Sequence, residues 1–377
     1  MTALSELDTP AALIDLGRMQ RNIARMQKRM NDLGVRFRPH VKTSKSLPVV
    51  QAQMDAGAAG ITVSTLKEAE QFFAQGMTDI LYAVCVSPSK LDAVLALRRQ
   101  GADLKIITDS VQGAQAIAEF GRRHDEVFEV WIEIDVDGHR SGIEPTDEVL
   151  LQVGRALHDG GMKLGGVMTH AGASYDCQSE TQLVAMAEQE RSRCVQAAQR
   201  LREAGLPCPV VSVGSTPTAL SAQMLQGVTE VRAGVYVFFD LVMHNVGVCT
   251  LDEIALGVLT TVIGHQQNKG WAIVDAGWMA MSRDRGTQGR PKDYGYGQVC
   301  TEDGQPLTGY QMTGANQEHG IVALAAGVDA QIATRFPVGS RLLILPNHAC
   351  ATAAQHPGYK VLDKQGRIED WPRFYGW

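Results

Sequence analysis

A lysine directly follows a strand-like run in the first part of the chain, VRFRPHV at 35–41. If that run is a strand of a parallel α/β barrel, Lys42 lies at its carboxyl end, where the working groups of such barrels are found. An amine at this rim can form an imine with a carbonyl compound. The alternative is a solvated loop lysine without a chemical role, and this position alone does not decide between the two.

The segment SVGSTPT at 212–218 has the composition of an anion-binding turn. Gly214 lets backbone N–H groups approach a ligand, and the hydroxyls of Ser215 and Thr216 add donors. In (β/α)₈ barrels a phosphate site is commonly built from the loops after the seventh and eighth strands. A phosphate site together with a rim lysine indicates pyridoxal phosphate (PLP), although a Gly-Ser-Thr turn is also common in ordinary loops.

A histidine and a cysteine stand two residues apart near the C terminus, His348 and Cys350. In an extended chain such a pair points to one face. Imidazole and thiolate together suit Zn²⁺, and two protein ligands leave room for water or substrate, as a catalytic site needs. The spacing by itself is weak support for a metal, because chance pairs of this kind are frequent.

Two further loops carry polar side chains that could contact a flat cofactor. Arg140 lies in IDVDGHRSG, and arginine can hold a phenolate or carboxylate by directed N–H bonds. The alternative is a surface salt bridge. His170 and Tyr175 lie in THAGASY and could stack on a ring or hydrogen bond to it, although His170 by itself is also typical of a core histidine.

These residues require a regular array of elements to bring them together. From about residue 35 to 240 an apolar β-rich run, a turn and an amphipathic stretch recur about every 25 residues. The candidate strands are 35–41, 60–64, 79–86, 104–108, 128–136, 164–171, 209–215 and 228–238. Eight such units in succession predict a closed (β/α)₈ barrel. A doubly wound open sheet would give the same local signals.

Helices are predicted between these strands. Thr65 and Glu68 have capping-box spacing at the start of a helix over 65–74, and the apolar spacing over 181–204 predicts another that Gly205 ends.

After about residue 250 the rhythm changes to consecutive β-like runs without long helices between them, which predicts a separate antiparallel β domain. The opening run TPAALIDL is strand-like as well. We therefore predict a PLP-binding barrel at 15–245, and a β domain made of 1–14 and 246–377 that carries the metal site.

Composition restricts the partners. The chain of 377 residues is 45% hydrophobic and 20% charged, with a net charge of -6 and no basic run, which argues against nucleic acid or anionic membranes. No signal peptide or membrane-spanning run is evident, so we expect a cytoplasmic protein with a small-molecule substrate. Seven scattered cysteines do not suggest a disulfide framework.

Six motifs together resemble the metal-dependent fold-type III PLP enzymes, the family of the D-serine and D-threo-3-hydroxyaspartate dehydratases and the D-threonine aldolases. The resemblance runs from about residue 8 to the end and is highly specific. The motifs are RPHVKTSK at 38–45, GITVSTLKEAE at 60–70, THAG at 169–172, SVGSTPT at 212–218, EVRAGVY at 230–236 and PNHACAT at 346–352.

The resemblance implies an alanine-racemase-like barrel with a C-terminal β domain, a homodimer, and both PLP and a divalent metal such as Zn²⁺ or Mn²⁺. By that resemblance Lys42 is the imine-forming lysine. The other implied roles are phosphate contacts for Gly214, Ser215 and Thr216, a contact to the phenolic oxygen for Arg140, cofactor-side positions for Tyr175 and Tyr236, and metal ligation for His348 and Cys350.

The aldolase branch tends to place aspartate where this chain has Cys350, so the resemblance favours a dehydratase and, within that group, the 3-hydroxyaspartate branch. Such an enzyme converts a D-3-hydroxy amino acid to a keto acid and ammonia. D-threo-3-hydroxyaspartate would give oxaloacetate, and D-serine would give pyruvate. The second carboxylate of the former needs a cationic pocket, which Arg283, Arg285 or His139 could provide.

Four alternatives stay open. They are retro-aldol cleavage to glycine and an aldehyde, racemisation, a non-catalytic PLP-binding protein and a metal-dependent barrel hydrolase without PLP. The metal-ligand pair speaks against racemisation, and the large β domain speaks against a single-barrel carrier.

Overall fold

The structure is a computed structural model that describes residues 4–376. They form two compact units: the barrel unit, Arg25–Gly234 with 374–376, and the β unit, which consists of the described residues up to Ala24 and Val235–Arg373. The predicted domain limits at 15 and 245 stay a prediction.

The strands of the described residues are β1 Ala11–Asp15, β2 Arg36–Pro39, β3 Ile61–Val63, β4 Asp79–Cys85, β5 Asp103–Thr108, β6 Glu129–Ile134, β7 Lys163–Thr169, β8 Val210–Val213, β9 Glu230–Ala233, β10 Leu256–Gln266, β11 Trp271–Val274, β12 Gln298–Thr301, β13 Pro306–Ala315, β14 Gly320–Leu324, β15 Arg341–Leu345, β16 Gly358–Leu362 and β17 Ile368–Pro372. The helices are α1 Leu16–Asp32, α2 Leu47–Asp55, α3 Leu66–Phe73, α4 Leu91–Arg99, α5 Val111–His124, α6 Val149–Asp159, α7 Glu180–Glu203, α8 Thr216–Ser221, α9 Leu241–Val246, α10 Trp278–Met281, α11 Ile332–Arg335 and α12 Ala349–Ala353.

The barrel unit contains eight parallel strands in the order β2-β9-β8-β7-β6-β5-β4-β3. A parallel bridge between His40 and Thr62 joins the two ends of that order and closes the ring. The predicted (β/α)₈ barrel is therefore confirmed. The last predicted strand, 228–238, is wrong at its C-terminal end, because the chain leaves β9 at Ala233 and forms a 3₁₀ turn at Val235–Val237.

Local sequence explains where the barrel helices begin and end. Thr65 caps α3 by accepting a hydrogen bond from the Glu68 N–H at 3.0 Å. The Glu68 carboxylate accepts from the Ser64 N–H rather than from that of Thr65, so the capping box is shifted by one residue. Ser179 caps α7, and Gly205, with a φ of +76°, follows its C-terminal end.

The β unit has a nine-stranded sheet in the order β11-β14-β13-β12-β15-β10-β1-β16-β17. An additional β10–β11 pairing closes six of these strands into an antiparallel ring, which confirms the predicted second, antiparallel fold. The ring encloses an apolar core that includes Val258, Val274, Val299, Met312 and Ile344. β1 pairs with β10 and β16, although it precedes β10 by more than two hundred residues.

Two observations concern the chain as a whole. None of the seven cysteines, all of which lie within residues 4–376, is part of a disulfide. Among the helices of residues 4–376, none combines the length and the apolar composition that crossing a bilayer would require.

Candidate active site

Lys42 lies in a tight turn at the carboxyl end of β2, and its side chain is exposed. The turn is fixed by hydrogen bonds from the Val41 N–H to Thr62 O and from the Lys45 N–H to Val41 O, each 2.9 Å long. Gly234 packs against the same segment, because a Cβ there would lie 3.0 Å from the carbonyl oxygen of His40. The barrel thus holds a solvent-accessible amine on a well-ordered rim.

His170 follows β7, and its ring is neutral at physiological pH. The Nδ1 atom lies 3.1 Å from Gly214 O, which can only accept, so Nδ1 carries the proton. Burial lowers the pKa of His170, the bond to Gly214 opposes this, and the positive charges of Lys42, Arg140 and Arg232 add to the lowering, so that the pKa is about 3. Three cationic groups therefore act on one imidazole at the barrel rim, a setting that suits an anionic ligand.

The loop after β8 carries Gly214, Ser215 and Thr216, and internal hydrogen bonds hold this loop in place. Gly214 has a φ of +136°, and a Cβ there would lie 2.0 Å from the carbonyl oxygen of Arg232, so only glycine fits. Ser215 caps α8, and its hydroxyl lies 2.8 Å from that of Ser174. The Gly214 and Ser215 N–H groups already donate to other side chains. These two amides are thus engaged within the chain.

Glu190 is a buried residue that the sequence analysis missed. Its carboxylate accepts from the N–H groups of Ala171 at 2.9 Å and Gly214 at 3.1 Å, and so ties the loops after β7 and β8 together. Desolvation raises the pKa of Glu190, and these hydrogen bonds oppose that effect. A signal existed in the sequence, because Glu190 lies on the buried stripe of α7 that includes Leu183, Ala187 and Cys194.

Arg232 is a second residue that was missed as a site group. It lies on β9 and is 4% exposed, and its guanidinium donates to the Ser212 hydroxyl and the Thr169 carbonyl. Burial lowers its pKa, and nearby carboxylates, Glu230 foremost, raise it. The barrel interior therefore contributes a fixed positive charge near His170.

Arg140 stands in the loop after β6 and is 59% exposed, with Nη2 lying 3.9 Å from the buried carboxylate of Glu133. Glu133 also accepts from the thiol of Cys85 at 3.3 Å, and Asp109 completes a compact cluster with them. Burial and the neighbouring carboxylates raise the pKa of Cys85, so the thiol keeps its proton and acts as a donor. Tyr175 lies with its ring centroid 6.1 Å from that of His170.

His348 and Cys350 belong to the β unit. The expected extended segment is wrong: β15 ends at Leu345, His348 is the N-cap of α12, and Cys350 lies in its first turn. The physical reason is Asn347, whose buried amide bonds to Asp284 O and Gly295 O and turns the chain. The His348 and Cys350 side chains nevertheless hydrogen bond to each other.

The electrostatics of His348 are dominated by negative neighbours. Burial lowers its pKa, but the charge of Cys350, the hydrogen bonds with Asp284 and Cys350 and the charge of Asp240 together raise it to about 11. Asp284 Oδ2 lies 2.6 Å from Nδ1 of His348. Asp240 is buried and accepts from the Ala349 N–H, so it anchors the start of α12. The set of imidazole, thiol and carboxylate has the donor chemistry that a divalent transition metal requires.

The other candidates lie elsewhere in their units. Tyr236 is 1% exposed in the turn at the start of Val235–Arg373. Arg283 stacks over Trp278, and Arg285 pairs with Asp293 at 3.1 Å. His139 is exposed, and its ring lies where a Cβ of Gly172 would be. The polar residues at 316–319 form an exposed turn.

Comparison with known proteins gives matches along most of the chain. Residues 14–242 match the family described as alanine racemase, N-terminal domain, and residues 255–362 match the putative serine dehydratase domain. The D-threo-3-hydroxyaspartate dehydratase of Delftia sp. (strain HT23) is 68% identical over 376 residues, which is 99% of each chain. The D-serine dehydratase of Dictyostelium discoideum is 28% identical, over 97% of this chain and 96% of its own.

Two solved structures of D-threo-3-hydroxyaspartate dehydratase, one of them from Delftia sp. HT23, superpose on this chain with a TM-score of 0.99 at 67% identity, covering 100% of both chains. One of them is a variant with cysteine replaced by alanine, in a metal-free form.

Proposed function

This chain belongs to the metal-dependent fold-type III PLP enzymes, which join an alanine racemase N-terminal domain to a serine dehydratase domain, and we propose that its substrate is D-threo-3-hydroxyaspartate. The products are oxaloacetate and ammonia. D-serine, which would give pyruvate, is a second and poorer substrate of the same reaction class.

The full-length match to D-threo-3-hydroxyaspartate dehydratase is the observation that carries this proposal. The match to D-serine dehydratase is far more distant. Because the identity to the 3-hydroxyaspartate enzyme extends over both units, it covers the barrel rim as well as the His348–Cys350 segment.

The cofactors are PLP and a divalent metal. When bound, PLP withdraws the electron pair left at Cα by loss of its proton, and a divalent ion polarises a hydroxyl so that it leaves more readily. Lys42 would hold the cofactor covalently; once substrate has displaced it, its Nζ would take the Cα proton. The exposed amine on an ordered turn supports both roles.

The remaining barrel residues would bind and orient the cofactor. Arg140 is proposed to face its phenolic oxygen, and the neutral ring of His170, with Tyr175 beside it, to pack along the pyridine ring. Ser215 and Thr216 would contact the phosphate through their hydroxyl groups, while Gly214 contributes by its lack of a side chain. We assign Tyr236 a cofactor-side position on the family resemblance alone.

His348 and Cys350 are proposed as the metal ligands. Their side chains already contact each other, and imidazole with thiolate is a donor set that Zn²⁺ favours. A relative whose cysteine variant was obtained in a metal-free form supports a cysteine ligand. Mn²⁺ can occupy such a mixed site as well, depending on supply.

We further propose a homodimer in the cytoplasm. The family resemblance implies the dimer, and seven cysteines outside any disulfide suit a reducing compartment. Light scattering on the purified protein would test the dimer, for which a mass of one chain would be the contrary result.

The test of the reaction is to incubate PLP-loaded protein separately with D-threo-3-hydroxyaspartate, D-serine and D-threonine, with and without EDTA. We expect keto acid and ammonia, fastest from D-threo-3-hydroxyaspartate and suppressed by the chelator. Glycine together with an aldehyde would instead establish an aldolase. Turnover that EDTA leaves unchanged would contradict the metal requirement.

A further inference from the structure

The carboxylate of Asp284 contacts the imidazole ring of His348. Its Oδ2 lies 2.6 Å from Nδ1 of the imidazole. A carboxylate only accepts hydrogen bonds, so the proton is on Nδ1. The other ring nitrogen, Nε2, is then the one with a lone pair to offer in the neutral imidazole, and the Cys350 side chain also hydrogen bonds to this residue.

Hydrogen bonds to its backbone fix the position of Asp284 in its loop. The carbonyl of Asp284 accepts from the buried side chain of Asn347 at 3.2 Å, and its N–H donates to the Ser282 hydroxyl at 3.2 Å. Asn347 directly precedes His348 in the chain and also accepts from the Thr287 hydroxyl at 2.8 Å. The loop that carries Asp284 and the segment that carries His348 are therefore joined at several points within the β unit.

We infer that Asp284 is a positioning residue for the metal site, which fixes the Nδ1–H tautomer of His348 so that Nε2 faces the ion. The inference rests on the proposed ligand role of His348. A metal-bound histidine commonly donates its other N–H to a carboxylate, which sets the ring orientation and makes the ligating nitrogen more basic. Loss of such a partner typically lowers metal affinity about 10- to 100-fold.

The sequence around position 284 offers a matched control. Asp293 lies in the same loop and carries a carboxylate, but it pairs with Arg285 rather than with His348. Asp293→Asn therefore removes a charge from this loop and leaves the bond between Asp284 and His348 intact.

The test uses the full-length, PLP-loaded protein and the variants Asp284→Ala, Asp284→Asn and Asp293→Asn. Zn²⁺ affinity is measured by chelator competition, and the visible spectrum is recorded with Co²⁺ in place of Zn²⁺. We expect affinity to fall about 10- to 100-fold in Asp284→Ala. The fall should be smaller in Asp284→Asn, whose amide oxygen still accepts from Nδ1, and Asp293→Asn should match wild type. The Co²⁺ spectrum should keep its shape in every variant.

Unchanged affinity in both Asp284 variants would overturn the inference, as would an equal loss in Asp293→Asn, because disruption of the loop would then explain the effect. A changed Co²⁺ ligand field in Asp284→Asn would show that Asp284 is itself a ligand and not a positioning residue. A wild-type protein that binds neither ion would remove the proposed metal site and this inference with it. If Asp284→Ala does not fold, as judged by its thermal melt, the Zn²⁺ affinity of Asp284→Asn still tests the inference.

Discussion

Replacing Lys42 with alanine removes the amine that the proposed function places on the cofactor. We expect the rate of keto acid formation to fall by at least about 10²–10⁴-fold, the usual contribution of a general base. Borohydride reduction followed by peptide mapping should locate the cofactor on Lys42 in wild type. The control Lys67→Ala removes a partly exposed lysine that pairs with Glu70 on α3, and should keep full activity. Label on another lysine would contradict the assignment.

His170 gives a prediction of pH dependence at the same scale. Its pKa in the folded protein is about 3, below the ordinary value of about 6.5, so between these values the unfolded chain binds a proton that the folded chain does not. The contribution of the neutral imidazole to the free energy of unfolding is therefore fully present above about pH 6.5. It falls toward pH 3, by up to about 1.4 kcal/mol per pH unit.

The variant His170→Asn tests this, because the asparagine Nδ2 can still donate to Gly214 O but does not titrate. Urea unfolding at pH 4, 5, 6 and 7 should give a shallower decline toward acid pH for the variant than for wild type. Parallel curves over this range would mean that the imidazole has the same pKa in the folded and the unfolded chain.

At the scale of elements, the turn between β8 and α8 depends on a single glycine. Gly214 and Gly205 both have positive φ, but a Cβ at 214 would lie 2.0 Å from a backbone oxygen, whereas a Cβ at 205 would meet nothing within 4 Å. Gly205→Ala should cost about 1–2 kcal/mol, the penalty of the left-handed backbone alone. Gly214→Ala should cost about 3–5 kcal/mol, because overpacking adds to strain. Urea unfolding measures both, and equal costs would refute the argument.

At the scale of the whole barrel, Arg38 ties together strands that are far apart in the chain. It is 2% exposed and bonds to Glu230 of β9 at 2.9 Å and to Asp79 of β4 at 2.8 Å. β2 stands between β9 and β3, so these pairs reinforce the closure of the ring. Removing one partner of a buried ion pair leaves an uncompensated charge.

We therefore expect Arg38→Met to lower the free energy of unfolding by about 3–5 kcal/mol. The double variant Arg38→Met with Glu230→Gln should recover part of that loss, because the amide is neutral and still accepts from the Ser212 hydroxyl. Chemical denaturation of the three proteins gives the comparison. A loss below about 1 kcal/mol in the single variant would mean that water replaces the guanidinium.

The sequence by itself determined the eight βα units, the second β fold and the types of residue that could do chemistry. These features are local: apolar periodicity shows which face of an element is buried, and caps such as Thr65 and Ser179 act within three residues along the chain. The family resemblance then selected Lys42, His348 and Cys350 among many residues of the same types.

Tertiary structure alone decided which polar groups meet. Glu190 accepts from amides 19 and 24 residues away, and Asp284 reaches His348 across 64 residues. It also decided that His348 and Cys350 start a helix rather than extend a strand. The physical reason is that a buried polar group needs a partner, and only closure of the chain around it determines which distant donor or acceptor arrives there.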